Sequence, residues 1–537
     1  MSAVRADTLL PTTERRRPAR SGRGGQILLA GGAGSPPPRI ETEADGSTGH
    51  RRERSDDGGS SALRAATARA SQRRPTAFLL LVGLAALLYG ALAVWLFAHP
   101  AALPSDDALY FARGLMRFSI LDFSPQFPGY PGFIALGRLL LPLTGGDPVR
   151  SLFVLTILCA LALPPLAAWT AWEIARSRGL ALAAFLLALT QPLLPGLALS
   201  LLSDAAGLAF FALFLALLAA AERRPRLVLL SGLALGIAAC CRPSYAALFA
   251  GALGGLALTR PRDLLPIVGG ALLVGVPALL FLFAREGTLL ITEGLRFTVG
   301  HTLVWGNTLL APLAADDGWL DALGRVPFGR ALAAATLIAA AAAAVSRPRR
   351  EPVVAALLGA FAAHLVWVVL MQNPDHLRHL APLPFLAAVL APVALAPASG
   401  RSSTAARAAG AIVIAGLFAL QIAVSAATLA PGVALAPPLQ QAARFLRSAP
   451  SGTALATNEG VAVLRESLPA IRVYDMHYPA DAAFGLAQAP GEALRLSTMP
   501  LPGSRPFRTF AARSVGEQTL YLARLHPGTA GTAAAAR

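Results

Sequence analysis

The sequence predicts an all-α polytopic membrane protein of about 11 transmembrane helices, closed by a small α/β domain. Three observations carry this. First, 55% of the 537 residues are hydrophobic and only 14% are charged, where a soluble domain carries about a quarter charged residues. Second, long blocks of Leu, Ala, Val and Phe alternate with short arginine-bearing breaks, and mean hydropathy reaches +0.57. Third, the region after 427 loses that character and reads as alternating helix and strand.

Residues 1–75 are rich in Arg, Gly, Ser, Pro and Thr. They carry too little apolar surface to offset ordering entropy and are expected to be a disordered cytoplasmic segment. The first span, Ala77 to Phe97, follows Arg73-Arg74-Pro75 and comes too late and runs too long for a secretory signal. Further apolar blocks begin near Ser151, Leu180, Asp204, Leu227, Tyr245, Leu264, Arg330, Val353, Leu380 and Gly410. Each runs roughly 15 to 21 residues, near the length that crosses hydrocarbon. Numbering them in order puts EIARSRG (173–179), ERRPR (222–226), TRPRD (259–263), SRPRREP (346–352) and SGRSSTAAR (399–407) on one side. All five are short and arginine-bearing, so that side is expected to be the cytoplasm. The protein is then expected in the cell (inner) membrane, N-terminus inside and C-terminus outside. Its transmembrane domain covers 76–427, with outer loops 99–150 and 285–329, and an extracytoplasmic α/β domain covers 428–537. In that domain PLQQAARFLRSA (438–449) reads as a helix; GTALAT (452–457), IRVYD (471–475), PFRTFAA (506–512) and QTLYLARL (518–525) read as strands.

The net charge of +17 comes entirely from arginine, since the chain has no lysine. In a soluble protein this excess would suggest nucleic acid; here the arginines sit in loops between apolar blocks, so a bilayer explains them and no nucleic-acid partner is expected. Cys159, Cys240 and Cys241 have neither zinc-ligand nor disulfide spacing and read as small buried hydrophobes. No internal repeat is visible, which weighs against secondary transporters.

The residues that could do chemistry cluster at the outer ends of the spans. In Pro104-Ser105-Asp106-Asp107-Ala108-Leu109-Tyr110, Ser105 can cap a helix and the two aspartates can occupy its first turn. The same carboxylates could instead take a proton from an attacking hydroxyl, and a capped helix can still present one of them. Gln126-Phe127-Pro128-Gly129-Tyr130-Pro131-Gly132-Phe133 reads as a re-entry turn before a surface helix. Ser203 or Asp204 reads as an N-cap. Arg242 and Arg378 fall on the outer side, against the charge trend, and either snorkel or bind an anion such as a phosphate headgroup. His376 and His379, with Asp375 near, could ligate a divalent metal, but no fourth ligand is evident and a surface pair is the simpler reading.

As an ordered set over roughly residues 77 to 400, these segments resemble the GT-C glycosyltransferases, family 39-like branch, which includes protein O-mannosyltransferases and lipid A aminoarabinose and galacturonic acid transferases. Asp106-Asp107-Ala108-Leu109-Tyr110 looks like the family's acidic pair with following tyrosine. Phe127-Pro128-Gly129-Tyr130-Pro131 resembles its proline–tyrosine segment. Ser203-Asp204, Gly232 and Gly236 followed by Arg242-Pro243, and Arg378-His379-Leu380-Ala381-Pro382 match the later motifs. Gln126 stands where a His or Lys often precedes the prolines, and His379 replaces a common Tyr. The resemblance implies transfer of a sugar from a polyprenyl-phosphate donor to an extracytoplasmic glycan, lipid or protein hydroxyl. It implies Asp106 as catalytic base with Asp107 in support, Arg378 and Arg242 facing the donor phosphate, and Tyr110, Gln126, Tyr130, Asp204, His376 and His379 around the cavity. The competing reading is a polytopic transporter or lipid-linked sugar flippase.

Overall fold

The structure, a computed structural model, describes residues 57–304, 308, 318–346, 351–395, 404–428, 436–501 and 505–525. Ala70–Arg537 form one compact unit that holds both the helical bundle and the C-terminal sheet. The expected disorder of 1–75 lies outside the described residues as far as 56. From Asp57 the chain is instead helical, as the Ala- and Arg-rich run LRAATARASQRR favours. The arginine breaks at 347–350 and 396–403 also lie outside the described residues.

In chain order the helices are α1 (Asp57–Phe97), α2 (Asp106–Met116), α3 (Pro131–Leu140), α4 (Pro148–Ala175), α5 (Arg178–Leu189), α6 (Leu194–Leu199), α7 (Ser203–Ala221), α8 (Leu227–Cys241), α9 (Ala246–Thr259) and α10 (Leu264–Glu286). Then follow α11 (Leu289–Val304), α12 (Trp319–Gly324), α13 (Gly329–Ser346), α14 (Pro352–Met371), α15 (Pro382–Leu395), α16 (Thr404–Thr428), α17 (Pro438–Leu446), α18 (Val461–Ser467) and α19 (Pro479–Ala487). Among the described residues eight helical segments are long and apolar enough to cross a membrane. The eleven expected spans thus divide into these eight and three shorter helices, α5, α8 and α9, of 12, 15 and 14 residues. Proline sets the short ends. Gln191-Pro192 interrupts α5 before α6, Arg242-Pro243 ends α8, and Arg260-Pro261 ends α9.

The bundle packs through glycine. On α9, a Cβ at Gly255 would collide with the Ala355 carbonyl of α14, and one at Gly251 with the Gly359 carbonyl. On α8, Gly232 and Gly236 do the same against the Ile267 and Ala271 carbonyls of α10. Small residues let backbones approach where lipid gives no hydrophobic drive to helix association. We expect Gly255→Ala to force α9 from α14 and cost about 1–3 kcal/mol. Gly254→Ala meets nothing within 4 Å and should be neutral or stabilising in a thermal melt of the solubilised protein.

Glu173, Glu222 and Glu351, from the ends of α4, α7 and α14, line one cavity, so three of the breaks expected on one side converge at one end of the bundle. The opposite end carries α2, α3 and the C-terminal sheet. Its strands β1 (Ala454–Thr457), β2 (Arg472–Asp475), β3 (Ala493–Ser497), β4 (Arg508–Phe510) and β5 (Leu520–Arg524) run in the order β2-β1-β3-β5-β4. β1 is parallel to β2 and β3, and β5 is antiparallel to β3 and β4. Two interlocks join sheet and bundle. Leu109 of α2 is buried in the sheet domain's core with Leu439, Val461 and Leu464, while Val515 is buried in the bundle's core.

Candidate active site

The site is built on α2. The Ala108 amide donates to Ser105 Oγ at 3.4 Å, so Ser105 caps the helix and both aspartates fall in its first turn. The two carboxylates then part. Asp106 turns to the C-terminal domain, where Oδ1 accepts the Val463 amide at 2.9 Å. The Ala462 amide also donates to this carboxylate. These amides open α18 and have no partner within their own helix. Burial pushes the Asp106 carboxyl above its usual range, the two amides oppose this, and Asp107 and Asp475 add to it. A carboxylate has about four lone-pair sites, so two amide donors leave acceptor capacity. Arg113, two turns on, pairs with Glu466 of α18 and fixes the register of the two helices.

Asp107 faces the other way. Its Oδ2 lies 3.6 Å from Arg378 Nη2, and both side chains are partly exposed. Arg378 stands in the short helical turn Leu377–Leu380 that leads into α15. Its Nε is buried with no hydrogen-bond partner. The C-terminal domain closes this edge. Gln518 Nε2 donates to the Asp375 carbonyl at 3.1 Å. Arg513 bridges Glu517, at 2.7 Å, and the Leu199 carbonyl, at 3.4 Å.

Arg242 is placed differently from Arg378. It is buried, 3.0 Å from Asp204 and 3.3 Å from Ser203 Oγ, both in the first turn of α7. The expected capping role of Ser203 or Asp204 is therefore not what the structure holds. Leu202 occupies the cap, no side chain caps it, and Asp204 is a buried counter-ion. Gly207 makes this possible, because a Cβ there would collide with Arg242 Cβ.

The remaining candidates surround these groups. Tyr130, buried and left-handed at φ 48°, packs edge-on to Phe111 and feels the charges of Arg242, Asp107, Asp204 and Arg378. Tyr110 packs against Phe123, and burial with the two aspartates pushes its phenol up to about 12. Gln126 is buried and its Oε1 has no partner. His376 and His379 have ring centres 6.0 Å apart, and the His379 carbonyl meets His364 Nε2 at 3.0 Å. Among the described residues no three His, Cys, Asp or Glu side chains group as metal ligands.

The sequence reading missed the contribution of the C-terminal domain. Glu459, in the turn after β1, shares the site's field with Asp106, Arg378, Asp375 and Asp107. Asp475, at the end of β2, is held by His477 Nδ1 at 2.8 Å and acts on Asp106. The available signal was a strand, GTALAT, running straight into Asn458-Glu459-Gly460, since open α/β sheets gather ligands outside the carboxyl ends of their strands.

An apolar groove of about 410 Å³ opens beside the re-entry turn, lined by Phe127, Pro128, Leu282, Leu290, Ile291 and Gly294.

No protein-family model matches this chain. No curated protein matches it either. Among solved structures it is similar to ArnT from Cupriavidus metallidurans in the apo state, with a TM-score of 0.47 at 13% identity over 84% of this chain and 98% of that one. The same enzyme bound to undecaprenyl phosphate gives a TM-score of 0.45 at 13% identity, covering 83% and 97%. The Archaeoglobus fulgidus oligosaccharyltransferase, tethered with an acceptor peptide containing the NVT sequon via a disulfide bond, gives 0.44 at 13% identity, covering 78% and 69%. Each is a distant likeness of overall form.

Proposed function

We propose that the protein is a membrane glycosyltransferase that moves a sugar from a polyprenyl-phosphate donor to the hydroxyl of an extracytoplasmic glycan, lipid or protein. The observation that carries this reading is the pairing of Asp107 with Arg378 beside Asp106 in the first turn of α2, with the Nε of Arg378 unsatisfied. Arginine's fork suits phosphate oxygens. The acceptor oxygen attacks the anomeric carbon, its proton passes to the Asp106 carboxylate, and the bond from that carbon to the phosphate oxygen breaks. The electron pair leaves with the polyprenyl phosphate, so a single displacement inverts the sugar carbon. Asp107 holds Arg378 in place and adds to the negative field that keeps Asp106 basic. Arg242 is neutralised by Asp204, and its charge acts on Tyr130 together with that of Arg378. Tyr110, Gln126, His376 and His379 line the approach, and the groove beside Phe127 and Pro128 has the apolar character an isoprenoid chain needs. By the arginine pattern this end faces away from the cytoplasm. The buried Arg242–Asp204 pair is what a transporter or flippase reading would start from, but it is self-neutralised and sits at helix ends.

Arg378→Ala tests the phosphate assignment. In membranes supplied with the cell's own donor lipids it should lower turnover by about 10²-fold. It should also abolish competition by added undecaprenyl phosphate. Arg378→Lys should recover part of the activity, since it keeps the charge and loses the fork. Full turnover in Arg378→Ala rejects the role.

A further inference from the structure

We propose that Glu459 is a catalytic residue supplied by the C-terminal domain: as an uncharged carboxylic acid it donates a hydrogen bond to a phosphate oxygen of the donor held by Arg378. This rests on the transferase reading above.

Placement comes first. The Glu459 amide donates to Thr457 Oγ1 at 3.0 Å and the Thr457 hydroxyl donates to the Glu459 carbonyl at 2.9 Å, so the turn after β1 is locked. Gly460 then takes φ 65°, a left-handed conformation that suits glycine, and starts α18. Four residues beyond Glu459, the Val463 amide touches Asp106 at 2.9 Å. The same contact that docks α18 on α2 therefore brings Glu459 to the acidic pair.

The charge balance comes second. Asp106 and Asp107 act on Glu459 from α2, and Asp375 and Arg378 act on it from the loop before α15. Asp475, held by His477, adds negative charge from β2 on the Asp106 side. Arg378 is already paired with Asp107, and Asp375 with Arg325 at 3.7 Å. Arg378, whose charge acts on Glu459, is thus already engaged by Asp107, and like charges crowded in one site do not all ionise. Burial, with Asp106 adding and Arg378 opposing, pushes Glu459 up to about 8. The two α18 amides favour the charged form of Asp106, while burial favours the protonated form of Glu459, a division of labour between two carboxyls set by environment. As the bond to the sugar breaks, charge grows on the phosphate. A donor already aimed there strengthens when it is needed.

Binding of undecaprenyl phosphate to the purified full-length protein, measured between about pH 7 and about pH 9.5, tests this. Wild-type affinity should fall about 5-fold or more as pH rises through the Glu459 value of about 8. Glu459→Gln keeps a neutral donor of the same shape, so it should bind near the wild-type level at pH 7 and lack that falling limb. Glu459→Ala should bind about 10-fold more weakly at pH 7. Wild-type binding by Glu459→Ala, a Glu459→Gln variant as weak as Glu459→Ala, or a falling limb that persists in Glu459→Gln overturns the assignment. The Arg378→Ala control separates the two readings. If Arg378→Ala binds undecaprenyl phosphate like wild type, the phosphate site itself fails and this assignment with it. If Arg378→Ala loses binding while Glu459→Ala keeps it, only this assignment fails.

Discussion

Asp106→Asn lowers turnover by about 10²-fold or more while leaving the protein folded and its two domains docked. The physical basis is that one carboxylate has two tasks. It accepts the Val463 amide at 2.9 Å, and it is the base for the acceptor hydroxyl in the proposed reaction. Asparagine keeps an accepting oxygen and so keeps the contact to α18. It cannot take a proton, and general base catalysis contributes typically 10²–10⁴-fold. The loss should fall on kcat, with little change in the concentration of donor needed for half-maximal rate. Asp106→Ala removes both tasks, so it should also loosen the C-terminal domain, seen as faster proteolysis after 428. An Asp106→Asn protein that turns over like wild type would mean that Asp106 is only a docking residue.

Breaking the buried pair should have the largest effect on stability. Arg242 and Asp204 lie 3.0 Å apart with side chains 8% and 0% exposed. Removing one partner leaves a charge in a low-dielectric interior, which costs about 3–5 kcal/mol. Arg242→Met and Asp204→Asn should each lower the temperature at which the solubilised protein aggregates. The double variant should recover part of the loss, because the two residues are coupled and neither charge is then stranded. Single variants that melt with wild type, or a double variant as unstable as the sum, would show that the pair does not carry the packing of α7 against α8.

Much of the bundle was legible in the sequence, because hydropathy is a local property and each apolar block is itself a helix. The cap at Ser105, the first-turn aspartates and the turn before α3 were legible for the same reason. Four of the five strands were read, but β3 (Ala493–Ser497) was not. Its alternation is brief, it holds Arg495, and it is fixed as a strand by partners on both sides. Asp204 was misread because its partner, Arg242, arrives from another helix into room left by Gly207, and no local pattern encodes that meeting. Glu459 was missed likewise. It comes into the field of Asp106 only through the docking of α2 on α18, the same docking that pairs Arg113 with Glu466 across 353 residues of chain. The acidic pair and the outer arginines were visible as residues; that Arg378 is open to a ligand while Arg242 is sealed follows only from packing.

The most direct test is a mass comparison of extracytoplasmic glycans and lipids from cells lacking the gene, restored either with the wild-type chain or with Asp106→Asn. The account expects one product heavier by a single sugar residue, present with the wild type and missing both from the deletion and from Asp106→Asn. Identical spectra in all three, or full product with Asp106→Asn, would contradict it.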